Sequence, residues 1–151
     1  MEIRDIRSDD VNLICRHREA MFREAGRDEN SLSAMTPNFR NWLEPRIIDG
    51  SYFGFLATDN NTVVAGIGMM AIDWPPHPSH PHQDKRGYIL NVYVEPAYRR
   101  RGIAGRLMEM ADVEFKKRGL TYAILHSTKT GRPLYEKIGW SSTTEMAKPL
   151  P

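Results

Sequence analysis

Cysteine is nearly absent. Cys15 is the single one in 151 residues, so no disulfide can close within the chain, and a reducing, cytoplasmic setting is the expectation. No apolar run approaches the ~18–20 residues of a membrane-spanning helix, so no membrane partner is expected. The opening stretch, MEIRDIRSDD, alternates charge with isoleucine and has none of the apolar core of a secretory signal. No internal repeat or low-complexity linker is present. An excess of one charge is missing too: 21 Lys and Arg stand against 19 Asp and Glu, a net charge of +2. A nucleic-acid partner is therefore not expected, because such domains carry a clustered basic stripe. The basic run Lys116-Lys117-Arg118 falls near the end of an expected helix, where cations suit the helix dipole.

What is present suits a globular fold. Apolar residues make up 40% and charged residues 26%, close to the average for soluble proteins, and the length is that of one domain spanning residues 1–151. Glu2 to Arg7 reads as a strand, and Val11 to about Gly26 as a helix. Residues 27–36 read as loop. Pro37 to Asp49 reads as a second helix, capped by Thr36, with Pro37 at its first position and a kink or end at Pro45. Ser51 to Thr58 and Thr62 to Trp74 form a hairpin about Asp59-Asn60-Asn61. A proline-rich loop, residues 75–84, precedes a strong strand from Arg86 to Glu95. Strict alternation puts Tyr88, Leu90, Val92 and Val94 on one face of it and Ile89, Asn91 and Tyr93 on the other. Arg101 to Arg118 is the most periodic helix, with Ile103, Ala104, Leu107, Met108, Met110, Ala111 and Phe115 on one broad arc that also takes in Glu114. Leu120 to His126, Thr130 to Ile138 and Trp140 to Lys148 read as strand, short helix and final strand. The order predicts an α+β, mixed α/β domain with a largely antiparallel sheet.

The most informative segment runs Val92-Tyr93-Val94-Glu95-Pro96-Ala97-Tyr98-Arg99-Arg100-Arg101-Gly102-Ile103-Ala104-Gly105. A strand ends, a loop turns, and a glycine opens a helix whose first amides have no internal partner and lie at the positive end of its dipole. Phosphate is favoured there. The small residues Gly102, Ala104 and Gly105 let a ligand approach the backbone, and three arginines add charge-assisted donors. The loop lacks the Gly-Lys-Ser/Thr of a nucleotide-triphosphate loop and the glycine spacing of a dinucleotide fingerprint. Arg99-x-x-Gly102-x-Ala104 instead resembles the acyl-CoA pyrophosphate loop of the GCN5-related N-acetyltransferases, Gln/Arg-x-x-Gly-x-Gly/Ala. Val92-x-Val94 resembles the strand that pairs with pantetheine in that family. Downstream, Leu134-Tyr135-Glu136-Lys137-Ile138-Gly139-Trp140 is similar to its helix segment Leu/Phe-Tyr-x-x-x-Gly-Phe.

The resemblance implies the acyl-CoA N-acyltransferase fold, with a central twisted sheet flanked by helices. It also implies direct transfer of an acetyl group from acetyl-CoA to a primary amine. Val92 and Val94 would offer backbone groups to pantetheine, an amide near Tyr93 would polarise the thioester carbonyl, and the amides of Arg100 to Gly105, including those of Arg101, Gly102, Ile103 and Ala104, would hold the pyrophosphate. Tyr135 would protonate the departing thiolate. Thr128 stands where the family often has a pantetheine-binding asparagine. Tyr88 stands where some branches place a carboxylate base, which leaves water, Asp73, Glu24 or Glu44 as alternatives. No metal is expected, a small-molecule amine is the expected acceptor, and dimers are common in the family.

Weaker signals remain. His77, His80 and His82 share the proline-rich loop, which reads as solvated rather than metal-binding. His126 falls on the cleft rim or in the core. Cys15 reads as inert. Phe39, Trp42, Met21 and Phe22 are core candidates, and Arg18, Glu19, Arg23 and Glu24 flank the place where such a fold takes its acceptor. Rival readings are a non-catalytic acyl-CoA sensor, a protein or peptide N-acetyltransferase, and an RNA-binding module, for which only Tyr98 adjoins the arginines as a stacking aromatic.

Overall fold

Strand β1 (Glu2–Asp5) leads through a 3-10 turn into helix α1 (Val11–Glu24). The Asp10 carboxylate secures this entry. It accepts from both terminal nitrogens of Arg4 at 2.9 Å and from the Arg7 amide at 2.7 Å. The computed structural model describes all 151 residues. Helix α2 (Glu29–Asp49) is longer than the sequence predicts. It begins where Asp28 caps the Ser31 amide at 2.8 Å, not at Thr36-Pro37, and it runs through both Pro37 and Pro45. Each proline removes one helical donor. Side chains nearby add bonds to other helix carbonyls, Thr36 to Leu32, Asn38 to Ala34 and Arg46 to Trp42. A buried stripe of Leu32, Phe39 and Leu43 makes continuation worthwhile, and left-handed Gly50 ends the helix.

Strands β2 (Phe53–Asp59) and β3 (Thr62–Asp73) form the expected hairpin, with Asn60 and Asn61 both at positive φ. Strand β4 (Lys85–Val94), helix α3 (Ile103–Lys117), strand β5 (Ala123–Leu125) and helix α4 (Arg132–Lys137) complete the chain. The final strand expected over residues 140–148 does not form. That stretch opens with the polar run Ser141-Ser142-Thr143-Thr144, which offers a sheet no alternating apolar face. The sheet order is β1-β2-β3-β4-β5. The first four strands are antiparallel, and β5 joins parallel to β4. One face packs on α3 through Ile67, Met69, Ile89, Leu107, Met108 and Phe115. The other packs on α1 and α2 through Ile14, Cys15, Leu43 and Tyr52. Each fully buried large side chain contributes about 1.5–3 kcal/mol.

Strand β4 departs from strict alternation. Gly66 pairs with Tyr93 but Gly68 pairs with Leu90, so one extra residue is accommodated at a bulge. Asn91 sits there at φ +56°. The side chains therefore sort differently from the expected pattern. Tyr88, Leu90, Asn91 and Tyr93 face α1 and α2, whereas Ile89, Val92 and Val94 face α3. A largely buried network holds the bulge: half-buried Arg18 donates to Asn91 Oδ1 at 2.7 Å, and Asn91 Nδ2 donates to the buried Tyr52 hydroxyl at 2.9 Å. Gly68 makes room for that hydroxyl, since a Cβ there would lie 2.1 Å from it. Asn91→Ala should therefore lower stability by about 2–4 kcal/mol, combining left-handed strain with two lost buried bonds. Asn91→Gly, which relieves the strain, should lose measurably less. Urea unfolding of the three proteins checks the order.

Candidate active site

Beyond Ile89, β4 has no partner on its outer side, because β5 pairs only with Gly87, Tyr88 and Ile89. The bulge turns the strand at the point where that pairing stops. A cleft thus opens between β4 and β5, and the backbone of Val92, Tyr93 and Val94 lies along it. An unpaired strand edge invites an extended amide-bearing ligand.

At the end of β4 the chain makes a 3-10 turn at Pro96–Tyr98 and enters α3. Arg100 (φ +62°) and Gly102 (φ +79°) both adopt left-handed backbone, a geometry that turns successive amides toward a common point. No backbone amide from Arg100 to Gly105 donates to any acceptor in the chain, and the first helical bond of the turn runs from Arg106 to Gly102. Six unsatisfied donors at the start of a 15-residue helix form an anion cradle. The residues present therefore fit a diphosphate.

The three arginines divide their roles. Arg99 is fixed by the protein itself: it donates to Val94 O at 2.8 Å and to both oxygens of Glu24 at 2.8 and 2.9 Å. It therefore braces the loop against α1 and carries no free charge. Arg101 lies over the Tyr98 ring and donates to Ala97 O. Arg100 makes no bond within the chain and remains available to an anion.

Tyr135 stands on α4 with its ring packed against Gly131 and edge-on to Trp140, 6.5 Å between centroids. Gly131 permits this approach, since a Cβ there would lie 3.0 Å from the ring. The residue is only 9% exposed, yet its hydroxyl has no partner in the chain and is not sealed from solvent. Burial pushes the phenol above its ordinary value, so it stays protonated at neutral pH. Thr128 accepts from the Gly131 amide at 3.2 Å, which leaves its own O–H to donate.

No free carboxylate base emerges. Asp73 is paired with Lys85, Glu24 is held by Arg99, and Glu44 is exposed on α2. Among the loop histidines, His80 is buried and its Nε2 faces the Arg86 guanidinium at 3.1–3.2 Å, a structural role. His126 lies 5.9 Å from the Tyr88 ring and 3.3 Å from Glu145. Cys15 is buried, and burial raises its thiol.

Sequence reasoning missed Asn91 and His17. An asparagine amid apolar strand residues was a usable sign, since asparagine tolerates left-handed backbone. His17 carried no comparable sign. It is buried against Tyr93, 4.9 Å between ring centroids, and its Nε2 has no hydrogen-bond partner. Glu95 lies 3.6 Å away but also sits beside Arg16.

The chain belongs to the acetyltransferase (GNAT) family, whose model matches residues 14–140. A GCN5-related N-acetyltransferase from Ralstonia eutropha JMP134 is 59% identical, with 99% of this chain and 97% of that one covered and a TM-score of 0.98. A predicted acetyltransferase from Clostridium acetobutylicum, crystallised with acetyl-CoA, is 26% identical over 99% of this chain and 95% of that one, TM-score 0.90. An aminoglycoside 6'-N-acetyltransferase from Acinetobacter haemolyticus shares the fold at 15% identity, with 100% and 98% covered and a TM-score of 0.69. Among curated proteins no significant match is found. No helix is long and apolar enough to cross a membrane.

Burial, reinforced by Arg16, depresses His17 to about 4 from an ordinary 6.5. The folded state therefore favours neutral His17, and its contribution is complete above pH 6.5. As pH falls from 6.5 toward 4 the unfolded chain binds the proton first, and stability drops by on the order of 3 kcal/mol. Unfolding midpoints measured across that window should show this slope in the native chain and a flatter one in His17→Leu.

Proposed function

We propose that the chain is an acetyl-CoA-dependent N-acetyltransferase acting on the primary amine of a small molecule within a ternary complex. The observation that carries this reading is the run of six unpartnered amides entering α3 directly after the unpaired edge of β4. The amides of Arg100 to Gly105, with Arg100, would hold the cofactor's pyrophosphate. Val92 and Val94 would pair with its pantetheine arm, and Thr128 would donate to it. The cofactor supplies the activated thioester.

Holding thioester and amine in line lowers the barrier by several kcal/mol, up to about 7–11 in well-oriented cases. The amine nitrogen bonds to the carbonyl carbon, the carbon–sulfur bond breaks, and the Tyr135 hydroxyl protonates the sulfur. A phenol is a weaker acid than a thiol of pKa ~8.5, and burial raises Tyr135 further, so this transfer is uphill, is drawn forward by carbon–sulfur cleavage, and leaves a phenolate that regains a proton from water. With Glu24 and Asp73 already paired, the amine enters neutral and its surplus proton leaves through water.

Tyr135→Phe should lower kcat about 100-fold while CoA affinity stays within about threefold, because the ring's packing survives. Parallel turnover and calorimetry decide it, and unchanged kcat would refute the acid role. Gly102→Glu should weaken CoA binding by more than about 100-fold, since a carboxylate would compete for the cradle and the backbone there is left-handed. Calorimetry with CoA reads this directly. CoA binding without transfer to any amine would instead mark a sensor.

A further inference from the structure

The face of the sheet that packs on α1 and α2 holds a cavity of about 340 Å³ beside the bulge. Phe39, Trp42, Met70, Tyr88 and Leu90 line it, and Arg18 is its one charged member. Tyr88 and Leu90 belong to β4 immediately before the bulge, so the cavity adjoins the cleft where the thioester would lie.

Arg18 is poorly satisfied for a half-buried cation. One terminal nitrogen donates to Asn91 Oδ1, the other makes no bond within the chain, and Nε is sealed from solvent without an acceptor. No carboxylate lies in ion-pair range, although Arg4, Arg23, Arg99, Arg118 and Arg132 all have one. The guanidinium stacks over Phe22 and Phe39, 4.9 and 4.5 Å from their centroids. Arg86 provides the internal comparison. It is more deeply buried, also between aromatic rings without a carboxylate, but its Nε and a terminal nitrogen both face His80 and none of its nitrogens is enclosed without a partner. Cation–π contact and one neutral acceptor compensate a desolvated guanidinium incompletely. A planar carboxylate matches its fork.

Building on the function proposed above, we infer that the acceptor is an apolar amino acid: its carboxylate pairs with Arg18, its side chain fills the aromatic cavity, and its amine points to the cleft. The volume lies at the low end for small-molecule sites, which suits one such body. A polycationic amine meets the Arg18 charge instead of a partner for its own.

The test uses three matched pairs of amines with acetyl-CoA: phenylalanine and phenethylamine, leucine and isopentylamine, methionine and 3-(methylthio)propylamine. The carboxylated member of at least one pair should have a kcat/KM at least about 30-fold higher, the size expected for a charge-assisted contact. The difference should appear mainly in KM. Arg18→Gln should abolish that preference, and Arg18→Lys should restore part of it. Calorimetry on the native chain with CoA present is independent of how the variants fold. There N-acetylphenylalanine, N-acetylleucine or N-acetylmethionine should bind more tightly than its decarboxylated counterpart. No carboxylate preference in turnover or binding, with CoA still bound, would overturn this inference and leave the proposed function standing. Absence of CoA binding would overturn both.

Discussion

The site depends on one irregularity in one strand. Left-handed backbone at Asn91 inserts an extra residue into β4, and the largely buried chain Arg18–Asn91–Tyr52 holds it in place. A non-glycine residue in that conformation costs about 1–2 kcal/mol, and two satisfied buried hydrogen bonds return a similar amount. The bulge is therefore affordable only where both partners are present. Tyr52 arrives from the segment before β2, Arg18 from α1, and Gly68 of β3 leaves space for the hydroxyl. Three separate elements thus hold one peptide unit.

Two consequences follow from this local geometry. Pairing with β5 ends after Ile89, so the edge of β4 from Val92 onward is left for a ligand. The side chains past the bulge also change faces. Val92 and Val94 join the core under α3, while Asn91 and Tyr93 turn toward α1. The same irregularity brings Asn91 to Arg18, which lines the neighbouring cavity.

Electrostatics divides the site into two halves. On the α3 side the donors are backbone amides, and Arg99 braces the loop by engaging Glu24 and Val94 O. On the α1/α2 side a single half-buried guanidinium stands among aromatic rings. Tyr135, on α4, is kept neutral by burial.

Much of the architecture was legible in the residues. Apolar periodicity located β1 to β4, α1 and α3, asparagines marked the hairpin, and the Arg99-to-Gly105 and Leu134-to-Trp140 segments carried the family likeness. These are local properties: a strand or helix announces itself through its own spacing, and an anion cradle through its glycine and its place before a helix. Tertiary packing decided the rest. Pro37 and Pro45 look like boundaries, but Leu32, Phe39 and Leu43 bury enough surface to carry α2 through both. The bulge at Asn91, the diversion of Arg99 to Glu24 and the enclosure of Arg18 each join residues distant in the chain. Sequence spacing records what a segment prefers by itself, and only the folded contacts record which buried charges and hydroxyls find one another.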